Sequence, residues 1–268
     1  MVKAKEFRGD GKIRLKDVDP DRSKPFADKE EAQEELLKLT ERLAKLQEVF
    51  YADNRRSLLI LLQAMDTGGK DGLIKCVMDS FDPLGCHVTN FKAPSETEKD
   101  HDFLWRHYQA IPARGEIGIH NRSHYENVLV VRVHDFVPKK VWEQRYDQIN
   151  RFEKLLTELD TVVVKIYLHI SRDEQGKRLQ SRLDDPKKLW KFSTGDLAER
   201  KHWDDYMGAY EDAINLCSTK WAPWYVIPAN KKWFRNVAVA QILVETLEGL
   251  DLKFPAPTIK DPSKIKIE

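Results

Sequence analysis

The stretch LLQAMDTGGKDG, residues 61–72, joins an apolar run typical of a buried strand, residues 57–63, to a helical pattern that begins at Lys70. A strand, a glycine-rich turn and a helix N-terminus in this order are the setting of a Walker A phosphate loop. Backbone N–H groups of such a turn can bind phosphate oxygens, and a lysine adds a positive charge. We therefore expect residues 66–72 to form a phosphate-binding loop with Lys70 as its cation.

The loop departs from the pattern G-x-x-x-x-G-K-[ST] at two positions. Ala64 replaces the first glycine, and Asp71 stands where a metal-binding hydroxyl is usual. A glycine-rich turn without a ligand therefore remains an alternative on this motif alone. A carboxylate at Asp66 would repel phosphate unless a divalent cation lay between them, which indicates a loop that holds metal and phosphate together. The other loop residues expected at the phosphates are Thr67, Gly68, Gly69 and Gly72.

Apolar runs and helical patterns alternate along the rest of the chain. Strands are predicted at 57–63, 87–91, 117–120, 161–169 and 224–227, and helices at 29–51, from 70, near 100–110, from 138, over 171–219 and at 232–250. Near-continuous apolar strands separated by crossover helices indicate a mostly parallel sheet covered on both faces. We predict an α/β fold in a single domain, residues 1–268, with a helical N-terminal extension of about 1–55. Residues 126–133 fit a helix or a strand, and the tail after Phe254 has no clear pattern.

Composition excludes several functional classes. The 268 residues include 45 Lys and Arg against 44 Asp and Glu, a net charge of +1, which argues against a basic surface that wraps nucleic acid. The apolar runs are far shorter than the roughly 20 residues needed to cross a bilayer. The charged N-terminus lacks the pattern of a secretion signal, so we expect a cytoplasmic protein without membrane partners. Three cysteines without metal-ligand spacing, Cys76, Cys86 and Cys217, are interpreted as buried reduced thiols.

Arg122 follows the predicted strand 117–120 at its carboxyl end, where ligands of open parallel sheets bind. A guanidinium can pair two phosphate oxygens at once, which makes Arg122 a candidate phosphate clamp. An exposed arginine in a surface salt bridge is the alternative.

A second group of basic residues lies in a predicted helix that Ser171 and Glu174 open as a capping box. Arg178 and Arg182 fall one turn apart on one face of this helix. Residues 177–191 contain six Lys or Arg, the last being Lys191, against two aspartates. A solvated charged helix is the usual interpretation of such a run, and a phosphate-binding surface is the other.

Five blocks, in order, resemble the polyphosphate kinase 2 family over nearly the whole chain. They are LLQAMDTGGKDG, SFDPLGCHVTNFKAPS, HDFLWRHYQAIPARGEIGIHNRSHYE, KIYLHISRDEQGKRLQSRLDDPKKLWKFSTGDL and APWYVIPANKKWFRN. The runs GGKDG and NRSHYE are similar to the class III branch, which phosphorylates nucleoside monophosphates and diphosphates from polyphosphate. The other branches carry Trp-Tyr-Asn where this chain has residues 124–126.

The resemblance implies a three-layer P-loop kinase core, a helical lid at about residues 171–205, Mg²⁺ dependence and homodimers or homotetramers. It also implies direct in-line transfer from polyphosphate to AMP and ADP, giving ADP and ATP, with a non-catalytic nucleotide- and polyphosphate-binding module as the alternative. The catalytic residues expected from it are Asp66, Lys70, Arg122, Glu126, Asn127 and Arg178. The phosphate- or nucleotide-binding residues expected are Thr67, Gly68, Gly69, Asp71, Gly72, Lys75, Ser123, Arg182 and Lys191.

Asn127 is the position where the chain departs most from the family pattern, which continues with Asp after NRSHYE. The resemblance places Mg²⁺ at Asp66 and at this aspartate. A neutral amide is a poorer ligand for a hard cation and cannot accept a proton, so we expect the activity of this chain to be impaired. An unrelated type of polyphosphate kinase works through a phosphohistidine. We nevertheless interpret His124 as a structural residue that forms hydrogen bonds, because the resemblance implies direct transfer.

Overall fold

The computed structural model describes residues 2–259, 265 and 267. Two 3₁₀ turns, Ala4–Phe7 and Leu15–Asp17, precede the first long helix. The order of helices and strands is α1 Lys29–Asp53, β1 Ser57–Ala64, α2 Lys70–Val77, β2 Cys86–Asn90, α3 Glu96–Lys99, α4 Trp105–Tyr108, β3 Ile117–Asn121, α5 Val130–Val133, α6 Lys139–Glu158, β4 Thr161–His169, α7 Arg172–Leu183, α8 Thr194–Lys201, α9 Trp203–Cys217, β5 Trp224–Pro228 and α10 Lys232–Glu248. Strands and helices therefore interleave as the sequence predicts.

The five strands form one sheet in the order β2-β3-β1-β4-β5, and every neighbouring pair is parallel. All eight residues of β1 are buried, which explains why its sequence lacks the alternation of a half-exposed strand. The chain leaves β1 toward one edge of the sheet and leaves β4 toward the other. This reversal opens a crevice at the carboxyl ends of the strands, where open α/β sheets bind ligands.

Helices cover both faces of the sheet, which confirms the α/β prediction. Helices α2 and α10 pack together on one face, with α1 against α10 as an outer layer. Helices α6 and α9 pack together on the other face, as right-handed crossovers require.

Within the described residues, no helix combines the length and the apolar composition that a membrane span needs.

One predicted helical region differs from the structure, and two others are defined by it more closely. Residues 100–110 form only the short α4, because Asp102 accepts a hydrogen bond from the Leu104 backbone and holds a turn before it. The region 171–219 is divided into three helices, since Pro186 prevents α7 from continuing beyond Leu183. The ambiguous region 126–133 is helical rather than extended. The uncertain tail after Phe254 forms neither helix nor strand as far as residue 259, and residues 260–264, 266 and 268 lie outside the described residues.

The expectation of three buried thiols is wrong for Cys76, which is exposed on α2, and only partly right for Cys86. Helical periodicity on the first two turns of α2 does not reveal that the helix leaves this side open to solvent. Cys217 is buried, as expected.

A fully buried charge network lies behind the carboxyl edge of the sheet. Lys165 of β4 donates to the Tyr125 hydroxyl at 2.8 Å and to the Cys217 carbonyl at 2.6 Å, and it pairs with Glu153 of α6. The other carboxylate oxygen of Glu153 accepts from Tyr125 and lies 3.1 Å from His124 Nε2. The position of His124 in this network agrees with its interpretation as a structural residue.

Candidate active site

A cleft of about 340 Å³ opens at the carboxyl edge of the sheet, over the end of β1. Its walls are the loop of residues 66–72, residues 90–92 after β2, and Asn121 and Arg122 at the end of β3. The cleft therefore lies where parallel strands present their loops, as the position of the glycine-rich stretch predicts.

The backbone of the loop exposes donors to this cleft. Thr67 has φ 60° and Gly69 has φ 101°, and both lie in the left-handed region. Gly68 N–H closes a turn onto the Met65 carbonyl at 2.9 Å, whereas the N–H groups of Thr67 and of residues 69–72 have no acceptor in the described backbone. Successive N–H groups without partners at a helix N-terminus form an anion-binding site.

The carbonyl groups of the loop are held from the opposite side. Gln175 Nε2 donates to the Asp66 carbonyl, Arg178 Nη1 donates to the carbonyls of Thr67 and Gly68, and Arg235 Nη1 donates to that of Gly69, each at 3.1 Å. In a trans peptide the C=O and the following N–H point in opposite directions. These side chains therefore help to turn the N–H groups of Thr67, Gly69 and Lys70 toward the cleft.

Lys70 lies at the floor of the loop, where its Nζ donates to the Ala64 carbonyl at 3.0 Å. Burial, and after it the Arg122 cation, lowers the pKa of Lys70 to about 8, against the opposing effect of the nearby carboxylates. Ala64 is accommodated in place of the usual glycine because Gly68 packs against it. A Cβ at position 68 would lie 2.5 Å from the Ala64 Cβ. The loop thus needs a glycine at 68 rather than at 64.

Arg122 lies across the cleft from Lys70 and joins two carboxylates. Its Nη2 lies 2.7 Å from Asp66 Oδ1, and its Nη1 lies 3.0 Å from Glu126 Oε2. Glu126 and then Asp66 raise the pKa of the guanidinium, so Arg122 is a permanent cation. Arg122 has φ 65°, a left-handed conformation that directs its side chain back over the end of β1. Arg122 therefore makes the predicted salt bridge while it also lines the cleft.

Arg178 is placed differently from the sequence prediction. Its side chain is only 9% exposed, and its Nε pairs with Glu174 at 2.7 Å. Besides its bonds to the loop, its Nη2 donates to the carbonyls of Ala229 and Asn230 at 2.7 and 2.9 Å. All of its nitrogens therefore have acceptors, and Arg178 clamps the phosphate loop to the segment after β5 instead of facing a migrating phosphoryl group. The capping box is half formed, because Ser171 caps Glu174 N–H while the Glu174 carboxylate binds Arg178.

Arg182 and Lys191 lie further along the segment 171–205. Arg182 Nη1 donates to the Lys191 carbonyl at 2.9 Å and to Asp196 Oδ2 at 3.2 Å. Burial and then the Asp66 carboxylate raise the pKa of Asp196. Lys191 is exposed, with its Nζ over the Trp190 ring. Asp196, which the sequence did not single out, is thus the carboxylate that Arg182 binds within this segment.

Three other predicted residues lie at different distances from the cleft. Asp71 lines it and accepts from Asn121 Nδ2 at 2.9 Å. Lys75 is exposed on α2 and does not line the cleft. Ser123 is fully buried, caps Tyr125 N–H and accepts from Gln63 Nε2 at 3.1 Å. Its side chain does not line the cleft where we predicted a contact with phosphate.

Asn127 ends a 3₁₀ turn, His124–Asn127, one residue beyond Glu126. Its side-chain Nδ2 donates to the His124 carbonyl at 3.2 Å, and its own carbonyl accepts from Arg145. Its side chain is half-buried and does not line the cleft. The amide is therefore directed at the backbone of its own turn.

The sequence did not identify Asn90, Phe91, Lys92 and Asn121 as lining residues. Asn121 Nδ2 joins Asn90 Oδ1 at 2.7 Å and so links the ends of β2 and β3. The information was present in the chain, because residues that end parallel strands share one edge of the sheet. The polar residues at the ends of the strands 87–91 and 117–120 could therefore have been predicted to line the cleft.

The carboxylates of the cleft suit a divalent cation that keeps most of its water. No three His, Cys, Asp or Glu side chains in the described part of the chain form a metal-holding group. Mg²⁺ is commonly held by one or two carboxylates together with phosphate oxygens and water. Asp66, with one oxygen on Arg122, and the buried hydroxyl of Thr67, which has no described partner, are oxygen donors of this kind.

The parallel sheet, the glycine-rich loop between β1 and α2, and the lysine within that loop define a P-loop α/β protein of the phosphotransferase type. The model of the polyphosphate kinase 2 family matches residues 26–255. The chain belongs to this family, which confirms the resemblance seen in its sequence.

Relatives of known name and structure match over almost the whole chain. The AMP/ADP-polyphosphate phosphotransferase of Meiothermus ruber is 51% identical over 268 residues, covering 100% of both chains. The ADP-polyphosphate phosphotransferase of Rhodopseudomonas palustris is 44% identical, over 96% of this chain and 94% of its own. The crystal structure of polyphosphate kinase 2 from Arthrobacter aurescens TC1 superposes with a TM-score of 0.94 at 47% identity, over 97% of this chain and 94% of that one.

Proposed function

We propose that this protein transfers the terminal phosphoryl group of inorganic polyphosphate to AMP and to ADP. The observation that carries the proposal is the loop of residues 66–72, whose free N–H groups and Lys70 face Arg122 across one cleft. The 51% identity to a protein named for both AMP and ADP supports two acceptors rather than one.

The reaction joins two anions, so charge neutralisation and alignment are the main tasks of the site. A terminal phosphate oxygen of the nucleotide attacks the end phosphorus of polyphosphate. The bond from that phosphorus to the bridging oxygen breaks, and the shortened polyphosphate leaves with the electron pair. Both the bond formed and the bond broken are phosphoanhydrides, so the reaction is reversible and an excess of polyphosphate favours ATP.

Each group of the cleft has a role in this proposal. The loop N–H groups and Lys70 hold one set of phosphates, and Arg122 offsets charge on the migrating group. Glu126 holds Arg122 in place. Arg182 and Lys191 bring positive charge from the segment 171–205, which acts as a lid, and Lys75 extends the basic surface along α2.

We propose Mg²⁺ as the divalent cation, held by Asp66 and, in relatives with an aspartate at position 127, by that residue as well. A bound Mg²⁺ supplies positive charge to the phosphates that the reaction brings together. In this chain Asn127 leaves Asp66 as the main protein ligand, so we expect slow turnover. We further propose a cytoplasmic protein that works as one domain with its lid and assembles as a homodimer or homotetramer.

The test is product formation from AMP and from ADP in separate reactions with polyphosphate and Mg²⁺. We expect AMP to give ADP first and ATP after it, and ADP to give ATP directly. ATP from ADP with no product from AMP would limit the function to a single acceptor. Nucleotide binding without any product, both here and in the Asn127→Asp variant, would favour a non-catalytic binding module.

A further inference from the structure

Arg235 is a buried cation behind the phosphate loop, in the first turn of α10. It is 2% exposed. Its Nη1 donates to the Gly69 carbonyl at 3.1 Å, and its Nε and Nη2 both donate to Asn236 Oδ1 at 3.0 and 2.7 Å. These acceptors are neutral, and no carboxylate within residues 2–259 lies within ion-pair distance of the guanidinium. The charge of Arg235 therefore has no partner of opposite sign in the described chain.

A second guanidinium makes this arrangement more costly. Arg178, which pairs with Glu174, approaches the same glycine, and a Cβ built on Gly69 would lie 3.6 Å from its Nη1. Burial, and after it the charge of Arg178, lowers the pKa of Arg235 to about 10. A buried charge without a partner destabilises a fold unless something else compensates it. The cleft on the other side of the loop is built for polyanions.

The bond to Gly69 also helps to hold a peptide plane at the start of α2. The Gly69 carbonyl accepts from Leu73 N–H at 3.0 Å, the first bond of α2, and from Arg235 Nη1 at 3.1 Å, so two donors hold the N–H of Lys70 in the same peptide toward the cleft. A side chain at position 69 would be strained by the φ of 101°, and its Cβ would lie 2.1 Å from the present position of Arg235 Nη1. Arg235 therefore reinforces the carbonyl orientation that α2 sets and places its charge directly behind the N-terminus of that helix.

We infer that Arg235 is a positioning residue for phosphate binding, which helps to hold the loop through the Gly69 carbonyl and whose charge the bound phosphates compensate. This role rests on the proposed function only in that the natural ligand is polyphosphate or nucleotide. On this inference Arg235 affects how tightly the loop binds anions and takes no part in the transfer step.

The experiment compares Arg235→Met and Arg235→Gln with the unchanged chain, using inorganic tripolyphosphate as the probe. The matched control is Arg114→Met, which removes an exposed arginine that pairs with Asp160. Two quantities are measured: the melting temperature with and without tripolyphosphate, and the dissociation constant of tripolyphosphate by calorimetry. Neither measurement requires turnover.

Without anion, Arg235→Met is expected to melt at or above the temperature of the unchanged chain, because an uncompensated buried charge is gone. Tripolyphosphate should bind it at least about tenfold more weakly and raise its melting temperature correspondingly less. Arg235→Gln, which keeps a donor for Gly69 but no charge, should bind with intermediate affinity. Arg114→Met should respond to the anion like the unchanged chain.

A merely structural arginine gives the opposite pattern, with a lower melting temperature and an unchanged dissociation constant, and that result would overturn the inference. If Arg235→Met does not fold, Arg235→Gln decides, since an unchanged dissociation constant in that variant also contradicts the role. Tripolyphosphate binding that depends on Arg235 in a chain without kinase activity would leave the inference standing and remove the proposed function instead.

Discussion

Arg122 Nη2 lies 2.7 Å from Asp66 Oδ1, so a cation from the end of β3 and a carboxylate from the phosphate loop meet across the cleft. The pair occupies the space between the two walls, where the migrating phosphoryl group is expected. Phosphate oxygens that enter the cleft compete with Asp66 for the guanidinium. Arg122 is thus preorganised by carboxylates until the substrate replaces one of them.

Replacement of Arg122 tests this arrangement. We expect Arg122→Ala to lower kcat about a hundredfold, because one preorganised donor to the transition state is lost. Arg122→Lys should recover only part of the rate, since a point charge cannot pair two oxygens at once. Arg114→Ala serves as the control for a surface arginine. A kcat within threefold of the unchanged rate in Arg122→Ala would return Arg122 to the role of a surface salt bridge.

The pKa of Lys70 predicts a pH dependence of substrate capture. Burial lowers this pKa to about 8 in the free protein, so the amine loses its charge as the pH rises through that value. We expect kcat/KM for polyphosphate to fall about tenfold per pH unit above pH 8, because kcat/KM reports the free enzyme. Bound phosphates favour the charged amine, so kcat should fall only at higher pH.

The control for this profile is Lys70→Arg, whose guanidinium stays charged through the whole range. Any activity that it retains should lack the fall above pH 8. Lys70→Ala should lose more activity than any other single replacement in the cleft. The same fall in kcat/KM in Lys70→Arg would assign the ionisation to another group, and near-normal rates in Lys70→Ala would refute the phosphate-loop assignment.

The sequence predicts those parts of the site that are local in the chain. The strand, the glycine turn and Lys70 fall within residues 57–72, so a single pattern contains them all. Arg178 shows the limit of this approach, because its acceptors Ala229 and Asn230 are brought to it only by the pairing of β4 with β5. Helical spacing predicts that Arg178 and Arg182 share a face but cannot tell which of them the loop buries.

The buried pair of Lys165 and Glu153 was beyond prediction for a related reason. Lys165 interrupts a strand that otherwise reads as apolar, and its partner comes from the preceding helix. We expect Glu153→Ala to lower the free energy of unfolding by about 3–5 kcal/mol, because the lysine would remain buried without its anion. The check is denaturant unfolding beside Glu158→Ala on the exposed end of α6. A loss under about 1 kcal/mol would mean that the pair is not needed for folding.

The two arginines of α7 should separate in their effects. Arg178→Ala leaves two carbonyls of the phosphate loop and two after β5 without this donor, and we expect it to lower both turnover and the free energy of unfolding, the latter by about 2–4 kcal/mol. Arg182→Ala should slow turnover without a comparable loss of stability, since its bonds lie within the lid. Chemical denaturation and initial rates measure the two effects. Equal stability in both variants would contradict the clamp, and unchanged turnover in both would remove the two arginines from catalysis.

Asn127 lies one residue beyond Glu126, in a conformation that suits an amide better than a carboxylate. Its Nδ2 donates to the His124 carbonyl at 3.2 Å, and an aspartate has no hydrogen to donate there. A carboxylate at position 127 would be repelled by that carbonyl and would turn toward the nearest positive charge. Glu126, the preceding residue, already holds Arg122, so the carboxylate would add a second negative charge near that arginine.

We therefore expect Asn127→Asp to raise the initial rate of ATP formation about a hundredfold or more, because a hard ligand for Mg²⁺ or a proton acceptor is recovered. Rates are compared at equal protein concentration and saturating Mg²⁺, with nucleotide affinity measured by calorimetry. Asn150→Asp is the matched control, since its Nδ2 also donates to a backbone carbonyl, that of Leu216, away from the cleft. The gain in rate should depend on Mg²⁺, and the nucleotide affinity should change little. Equal rates would remove position 127 from the catalytic residues, and a rate increase matched by an equal gain in affinity would make it a binding residue.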